Sequence, residues 1–191
     1  MLIENNFHYP VMLKLTGKKC VIIGGGEVAA RKLNTLCEAG AEVTIVAPEF
    51  CDLLQKAARK YQCQLINDCY NVRYLQQAFI VIAATNDVAV NRQITTDAPL
   101  LCNNITEPEL STFTVPSSFS EGDITVALAT GGMPAFTRIL KRRLQQVITP
   151  DMVVFNDFLR QQRLAVQQIP STPAQRTAFW RQILTDDLIN L

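Results

Sequence analysis

The chain has 191 residues, 48% of them hydrophobic, which is enough for one compact domain with a smaller appendage. Its 18 basic and 17 acidic residues leave a formal net charge of +1, which argues against partners such as nucleic acid or an anionic membrane. The N-terminus MLIENNFHYP lacks the cationic start and apolar core of a signal peptide, and no apolar run approaches the ~20 residues that span a bilayer. We therefore expect a cytoplasmic protein. One histidine and six cysteines without CxxC spacing predict no metal site.

Apolar runs and helical periodicity alternate through the first hundred residues. Strands are predicted at 19–23, 42–46, 63–66, 79–84 and 100–103, and helices at 27–38, at 50–61 and from 87 onward. Gly40 is expected to end the first helix, and Asp87 is expected to cap the third. Five such alternations predict an α/β fold, a doubly wound parallel sheet with helices on both faces.

The pattern changes after residue 103. Segments 112–115 and 124–129 resemble strands separated by a polar turn, SEGD, and they are expected to form an antiparallel pair. A helix is predicted to begin at Pro134 and another to cover 151–168. Ser171 or Thr172 is expected to cap a last helix. A smaller helical region therefore follows from about residue 146.

The glycine cluster GGG lies between the first predicted strand and the first helix. Gly24, Gly26 and Ala29 fit the pattern G-x-G-x-x-A, in which the glycines allow a tight turn and the approach of a pyrophosphate to the backbone. Free amides at the helix start, near Glu27 and Val28, would bind the phosphates. The alternative is a bend that merely needs glycine, but the strand–helix context favours a dinucleotide.

The residues after the second and fourth predicted strands bear on the choice of dinucleotide. Ala47, Pro48 and Glu49 follow the second strand, where the pattern asks for an acid that binds the ribose hydroxyls. Glu49 stands one or two residues late, and Pro48 is expected to shape the adenosine slot. Since no arginine follows closely to neutralise a 2′-phosphate, NAD is favoured over NADP. Thr85 and Asn86 follow the fourth strand and are expected near the nicotinamide half.

Several stretches together resemble the precorrin-2 dehydrogenase and sirohaem synthase family. They are YPVMLKLTGKKCVIIGGGEVAARK, LCEAGAEVTIVAP, IVIAATND, LLCNN and FTVPSSFSEGDITVALATGGMPA. The resemblance implies a Rossmann-type NAD-binding domain at 1–112, a central dimerisation segment at 113–146 and a C-terminal helical region at 147–191. It also implies a homodimer that oxidises precorrin-2 to sirohydrochlorin with NAD. Some members insert iron as well, and longer members carry a methyltransferase domain, for which 191 residues leave no room.

Precorrin-2 carries many carboxylates, which are bound by cations and by helix N-termini. The resemblance therefore makes Asn103, the turn Thr130–Gly131–Gly132 and Arg138 candidates for substrate binding. Lys141, Arg142 and Arg143 follow Arg138 on the same predicted helix. For each basic residue taken singly, a solvated helix face is the favoured alternative.

Thr106 departs from the family pattern N-x-x-D, because it stands where a catalytic aspartate is typical. A threonine hydroxyl does not titrate near neutral pH, so it cannot act as a general base. Glu107 and Glu109 are the nearest acids that could replace it. We therefore expect a dehydrogenase in which iron insertion, which must remove pyrrole protons, is in doubt. Two alternatives stay open: a dehydrogenase for another small substrate, and a tetrapyrrole carrier or nucleotide sensor without turnover.

Overall fold

The structure, a computed structural model, describes residues 8–169 and 172–184. The chain divides into two compact units, with the boundary between Val115 and Pro116.

The first unit contains a five-stranded parallel sheet in the order β3-β2-β1-β4-β5. The strands are β1 (Lys19–Ile23), β2 (Glu42–Ala47), β3 (Gln64–Asn67), β4 (Ile80–Ala83) and β5 (Leu101–Asn104). The helices are α1 (Glu27–Glu38), α2 (Asp52–Tyr61) and α3 (Val88–Asp97), with short 3-10 helices at Val72–Leu75 and Pro108–Leu110. The strand order reverses between β1 and β4, as in Rossmann-type sheets. The predicted α/β architecture is confirmed.

Apolar side chains on both faces of the sheet hold the first unit together. Ile22 packs with Leu33 of α1 and Leu54 of α2 on one face. The neighbouring residue Val21 packs with Ile94 of α3 on the other face. Successive side chains of a strand point to opposite faces, so a strand buried on both sides must be apolar throughout. This requirement explains why KCVII and IVIA are nearly continuous apolar runs.

Two of the predicted helix-end residues have the expected geometry. Gly40 has a φ of +81°, and its N–H donates to the carbonyl of Cys37, which ends α1. The Asp87 side chain caps α3 by accepting hydrogen bonds from the N–H groups of Ala89 and Val90.

The second unit begins with an antiparallel hairpin of β6 (Ser117–Glu121) and β7 (Ile124–Leu128). The predicted pair is confirmed, but the prediction of 112–115 as one of its strands is wrong. Thr112 instead bonds to the main chain of Cys102, and Pro116 then interrupts any continuous ladder because it has no N–H. The strand therefore starts after the proline, and the turn shrinks to Gly122 and Asp123.

In the described part of the chain, three helices follow the hairpin. They are α4 (Pro134–Val147), α5 (Pro150–Gln168) and α6 (Pro173–Ile183). Thr172 caps α6, and Gln175 completes a capping box, while the alternative cap Ser171 lies outside the described residues. Within the part of the chain that the structure describes, no helix is both long and apolar enough to cross a membrane.

Candidate functional site

A cavity of about 700 Å³ lies at the carboxyl ends of the strands in the first unit. Its walls are the glycine turn after β1 and the loops after β2, β3 and β4. The described lining residues are Ile23–Gly26, Val46–Cys51, Asp68–Tyr70, Ala84–Asp87 and Val90. In a doubly wound sheet this edge, where the strand order reverses, is the usual place for a ligand.

Two of the three glycines in the turn are required by neighbouring backbone. A Cβ on Gly24, whose φ is +133°, would lie 2.2 Å from the carbonyl oxygen of Ala84 after β4. A Cβ on Gly25 would lie 1.7 Å from the carbonyl oxygen of Glu49 after β2. The Gly25 carbonyl also accepts a hydrogen bond of 2.9 Å from the N–H of Cys51. The turn is thus clamped between two loops, with no space for a side chain.

Gly26 is different, because a Cβ at this position would have nothing within 4 Å. Its φ of −88° and ψ of −175° suit any residue, so neither strain nor packing explains a glycine here. Gly26 lines the cavity and is the N-cap of α1, whose first turn has no side-chain cap among the described residues. An open cradle of this kind fits a pyrophosphate close to the helix amides. Glu27 and Val28 begin the helix behind it but are not among the described lining residues.

Acidic side chains follow β2 and β3 along the cavity. Glu49 is exposed, and β2 ends one residue later than predicted, at Ala47. Asp68 follows β3, and its carboxylate accepts from the Tyr74 hydroxyl, from the N–H of Cys69 and from Arg73. These contacts hold the pKa of Asp68 below its usual value, the Tyr74 hydrogen bond most strongly. Two carboxylates therefore line this side of the cavity.

The loop after β4 supplies the predicted residues Thr85 and Asn86, and both line the cavity. The Thr85 hydroxyl oxygen lies 2.8 Å from Asn91 Oδ1, 3.0 Å from the carbonyl of Asp87 and 3.1 Å from the N–H of Asp87. Its hydroxyl is therefore occupied within the loop. Asp87, predicted only as a helix cap, lines the cavity as well.

Thr106 lies in the loop after β5, and it is not among the described lining residues of the cavity. Its hydroxyl donates to Asn104 Oδ1 at 2.8 Å and accepts from Asn91 Nδ2 at 3.2 Å. The Thr106 proton is thus committed to Asn104. Glu107 pairs with Arg92, whose hydrogen bond holds the pKa of the carboxylate low and makes it a weaker base.

The predicted substrate residues lie in both units. Asn103 is buried in β5, and its side-chain amide donates to the carbonyl of Phe113 at 3.3 Å, away from the described cavity lining. In the second unit, Gly131 and Gly132 have φ values of +58° and +90°, and the Thr130 hydroxyl bonds to the carbonyl of Met133. Arg138 is exposed on α4. The roles of these residues stay predictions.

The basic residues after Arg138 differ in their surroundings. Lys141 donates to the Ser118 carbonyl of β6 at 2.7 Å, while Arg142 and Arg143 are exposed. Lys141 therefore has a structural partner within the second unit, which makes it the weakest of these candidates for binding an acidic ligand.

The part of the cavity wall that follows β3 was not predicted from the sequence. Asp68, Cys69 and Tyr70 directly follow β3, and the carboxyl-end rule that identified Thr85 would have found them too. Tyr70 turns its hydroxyl to Asp97 of α3 at 2.7 Å, and burial, aided by that carboxylate, raises its pKa. Among the described residues, no group of three or more His, Cys, Asp or Glu is arranged to hold a metal ion.

The chain is similar to several known proteins. Residues 11–117 match the protein family described as "Putative NAD(P)-binding". The chain is 35% identical over 178 residues to a sirohaem synthase of Methylobacillus flagellatus, covering 91% of the chain and 38% of that protein. It is 36% identical over 183 residues to a sirohaem synthase of Nitrosospira multiformis, covering 92% and 39%. The chain thus spans about two fifths of the length of these relatives.

A solved structure titled "SirC, precorrin-2 dehydrogenase" superimposes with a TM-score of 0.78 over 96% of this chain and 93% of that one, at 24% identity. This likeness shows the fold. The family match covers more than half of the chain and agrees with the predicted class of cofactor. The resemblance seen in the motifs is thereby confirmed, and the chain belongs to this NAD(P)-binding family.

Proposed function

We propose that the protein oxidises precorrin-2 to sirohydrochlorin with NAD. The observation that carries this proposal is the open cradle at Gly26, beside a cavity with carboxylates at its edge. The names of the relatives, sirohaem synthase and precorrin-2 dehydrogenase, supply the substrate class. The reaction removes two electrons and two hydrogens from the tetrapyrrole. When bound, NAD would supply the acceptor for one hydrogen as hydride, and the other leaves as a proton.

The chain's own residues would mainly bind and orient. The amides at the start of α1 would hold the pyrophosphate beside Gly26, and Thr85 and Asn86 would border the nicotinamide half. Positioning of this kind can supply much of the rate of a hydride transfer without a strong acid or base. We propose that the released proton passes to water, since Thr106 and Glu107 are both engaged by hydrogen bonds.

We propose that iron insertion is not part of this activity. It must remove pyrrole protons, which calls for a base near the ring. Thr106 stands where the resemblance implies a catalytic aspartate, and its hydroxyl is held by Asn104 and Asn91. The same observation favours a second candidate function, a tetrapyrrole carrier or nucleotide sensor that binds NAD without turnover.

We also propose a cytoplasmic homodimer with the three-part organisation expected from the sequence. The cysteines are all free thiols, which suits a reducing compartment. Large apolar side chains are exposed on the helices of the second unit, among them Phe136 and Ile139 of α4 and Val154 and Phe158 of α5. Exposure of this kind supports an interface between copies. The dimerisation role of 113–146 rests on the resemblance.

Incubation of the purified protein with precorrin-2 and NAD should form NADH, measured at its own absorbance band, in a 1:1 ratio to sirohydrochlorin. Added Fe(II) should give no sirohaem. Binding of both ligands without NADH would contradict the enzyme and favour the carrier. Accumulation of sirohaem would show that a base other than residue 106 serves chelation.

Gly26→Ala should mainly weaken NAD binding, and Gly25→Ala should mainly lower the stability of the fold. Alanine at Gly26 adds a methyl group that meets only the cavity, so stability should fall by at most about 1 kcal/mol while the Kd for NAD rises roughly tenfold or more. Alanine at Gly25 collides with the Glu49 backbone and should cost about 3 kcal/mol. Urea unfolding and calorimetric titration measure the two quantities. Unchanged NAD affinity in a folded Gly26→Ala protein would show that the cofactor does not approach this turn.

NAD should bind at least about tenfold more tightly than NADP. Glu49 lines the cavity, and no Lys or Arg is found among its described lining residues. Asp68 is already paired with Arg73, so the repulsion of a 2′-phosphate rests mainly on Glu49. Titrations with both dinucleotides test this. The gap should narrow at high salt and in Glu49→Gln, because screening or removal of charge weakens the repulsion. Equal affinities would place the ribose elsewhere.

Light scattering at micromolar concentration should give twice the chain mass of 21.3 kDa. Phe136→Glu and Phe158→Glu each place a charge on an exposed apolar position, one in the predicted dimerisation segment and one in the helical region. We expect the first to shift the mass towards the monomer more than the second. A monomeric wild-type protein would remove the dimer from the proposal.

A further inference from the structure

Asn91 of α3 is a fully buried polar side chain that the proposed function does not use. Its amide makes four hydrogen bonds. The oxygen accepts from the N–H of Thr85 at 3.1 Å and from its hydroxyl at 2.8 Å. The nitrogen donates to the carbonyl of Thr85 at 3.0 Å and to the hydroxyl of Thr106 at 3.2 Å. A primary amide offers two donors and two acceptor sites, so every one is satisfied.

These contacts determine the orientation of the amide. Turning it over would place its NH₂ against the N–H of Thr85 and its oxygen against the carbonyl of the same residue. Because β4 ends at Ala83, the main chain of Thr85 has passed the sheet ladder, and the Asn91 side chain takes the place of a neighbouring strand. The conformation of the loop after β4 therefore depends on Asn91.

The side-chain nitrogen of Asn91 also reaches the loop after β5, which several hydrogen bonds hold. Asn104 Oδ1 accepts from the N–H and hydroxyl of Thr106 and from the N–H of Glu107, at 3.0, 2.8 and 3.1 Å. The Asn104 amide in turn donates to Thr95 Oγ1, which donates to the main-chain carbonyl of Asn91. A closed ring of hydrogen bonds thus connects α3 to the loop after β5.

We propose that Asn91 is a positioning residue that couples the Thr85 loop, on the wall of the cavity, to the Thr106 loop beside it. A ligand that fixes the Thr85 loop then also fixes the Thr106 loop, because one rigid amide is bonded to both. The coupling rests on the proposed function in one respect: it would hold the Thr106 loop in register with bound dinucleotide during turnover. Buried amide networks act in this way only when every member is paired, as here.

Arg92, the next residue of α3, provides a matched control. It joins the same helix to the same loop through its ion pair with Glu107, but its side chain is 62% exposed and no hydrogen bond to Thr85 is found within the described part of the chain. If any link between α3 and the loop after β5 sufficed, loss of the Arg92 pair would matter as much as loss of the Asn91 bond. If the coupling runs through Asn91, it would not.

Hydrogen exchange measured with and without saturating NAD tests the coupling directly. In the wild type, NAD should slow exchange of the Thr106 and Glu107 amides about fivefold or more, the low end of usual coupling between sites. Asn91→Asp keeps the shape but loses the amide donors, and Thr106→Val removes the acceptor. Both should abolish the slowing while NAD still binds. Thr106→Ser and Arg92→Gln should retain it.

Steady-state kinetics separate coupling from a purely structural role, because loss of the coupling should lower kcat while leaving KM for NAD nearly unchanged. Asn91→Asp and Thr106→Val should lower kcat roughly tenfold to a hundredfold with KM for NAD within about threefold of wild type. Should Asn91→Asp fail to fold, Thr106→Val alone decides, since Thr106 is exposed. The coupling is overturned if NAD leaves exchange of the wild-type loop unchanged, if both variants keep the slowing, or if Arg92→Gln loses it. Slowed exchange without NADH formation from precorrin-2 would refute the proposed function and leave the coupling standing.

Discussion

The close approach of three backbone segments at the glycine turn is the constraint on which the site depends. The carbonyls of Ala84 and Glu49 lie where the Cβ atoms of Gly24 and Gly25 would be, so the loops after β1, β2 and β4 meet without side chains between them. The sheet order brings these strand ends together, and their contact leaves Gly26 facing the cavity. The space offered to a ligand is therefore a result of main-chain packing.

The place of the cavity could be predicted from the sequence, while the roles of its lining residues stay predictions. Apolar runs identified the strands, and the rule that ligands bind at carboxyl ends of parallel strands turned strand ends into a site. The same pattern treated Gly25 as a variable position, because a sequence motif records what faces the ligand. The motif gives no information about the loop after β2, whose Glu49 carbonyl approaches Gly25. Long-range backbone contacts of this kind become visible only when the fold is assembled.

The error at residues 112–115 has a related cause. The alternation of TFTV suits a strand, but a strand needs a partner with free N–H and carbonyl groups along its length. Thr112 finds a short connection to Cys102, and Pro116 ends the possibility of a ladder. The hairpin then forms from Ser117–Glu121, whose composition is a weaker strand signal. The strand propensity of 112–115 therefore mattered less than the hydrogen-bonded pairing that Ser117–Glu121 could form with β7.

Residue identity alone also gave too little information about Thr106. In the sequence it is a substitution at the position of an expected acid, which leaves its hydroxyl free for any role. In the structure that hydroxyl already has a donor in Asn91 and an acceptor in Asn104. A group whose hydrogen bonds are internally satisfied holds its loop in place at low cost, whereas an aspartate would set its carboxylate against Asn104 Oδ1. The threonine is therefore consistent with its surroundings, because both its donor and its acceptor capacity are used, by Asn104 of β5 and by Asn91 of α3.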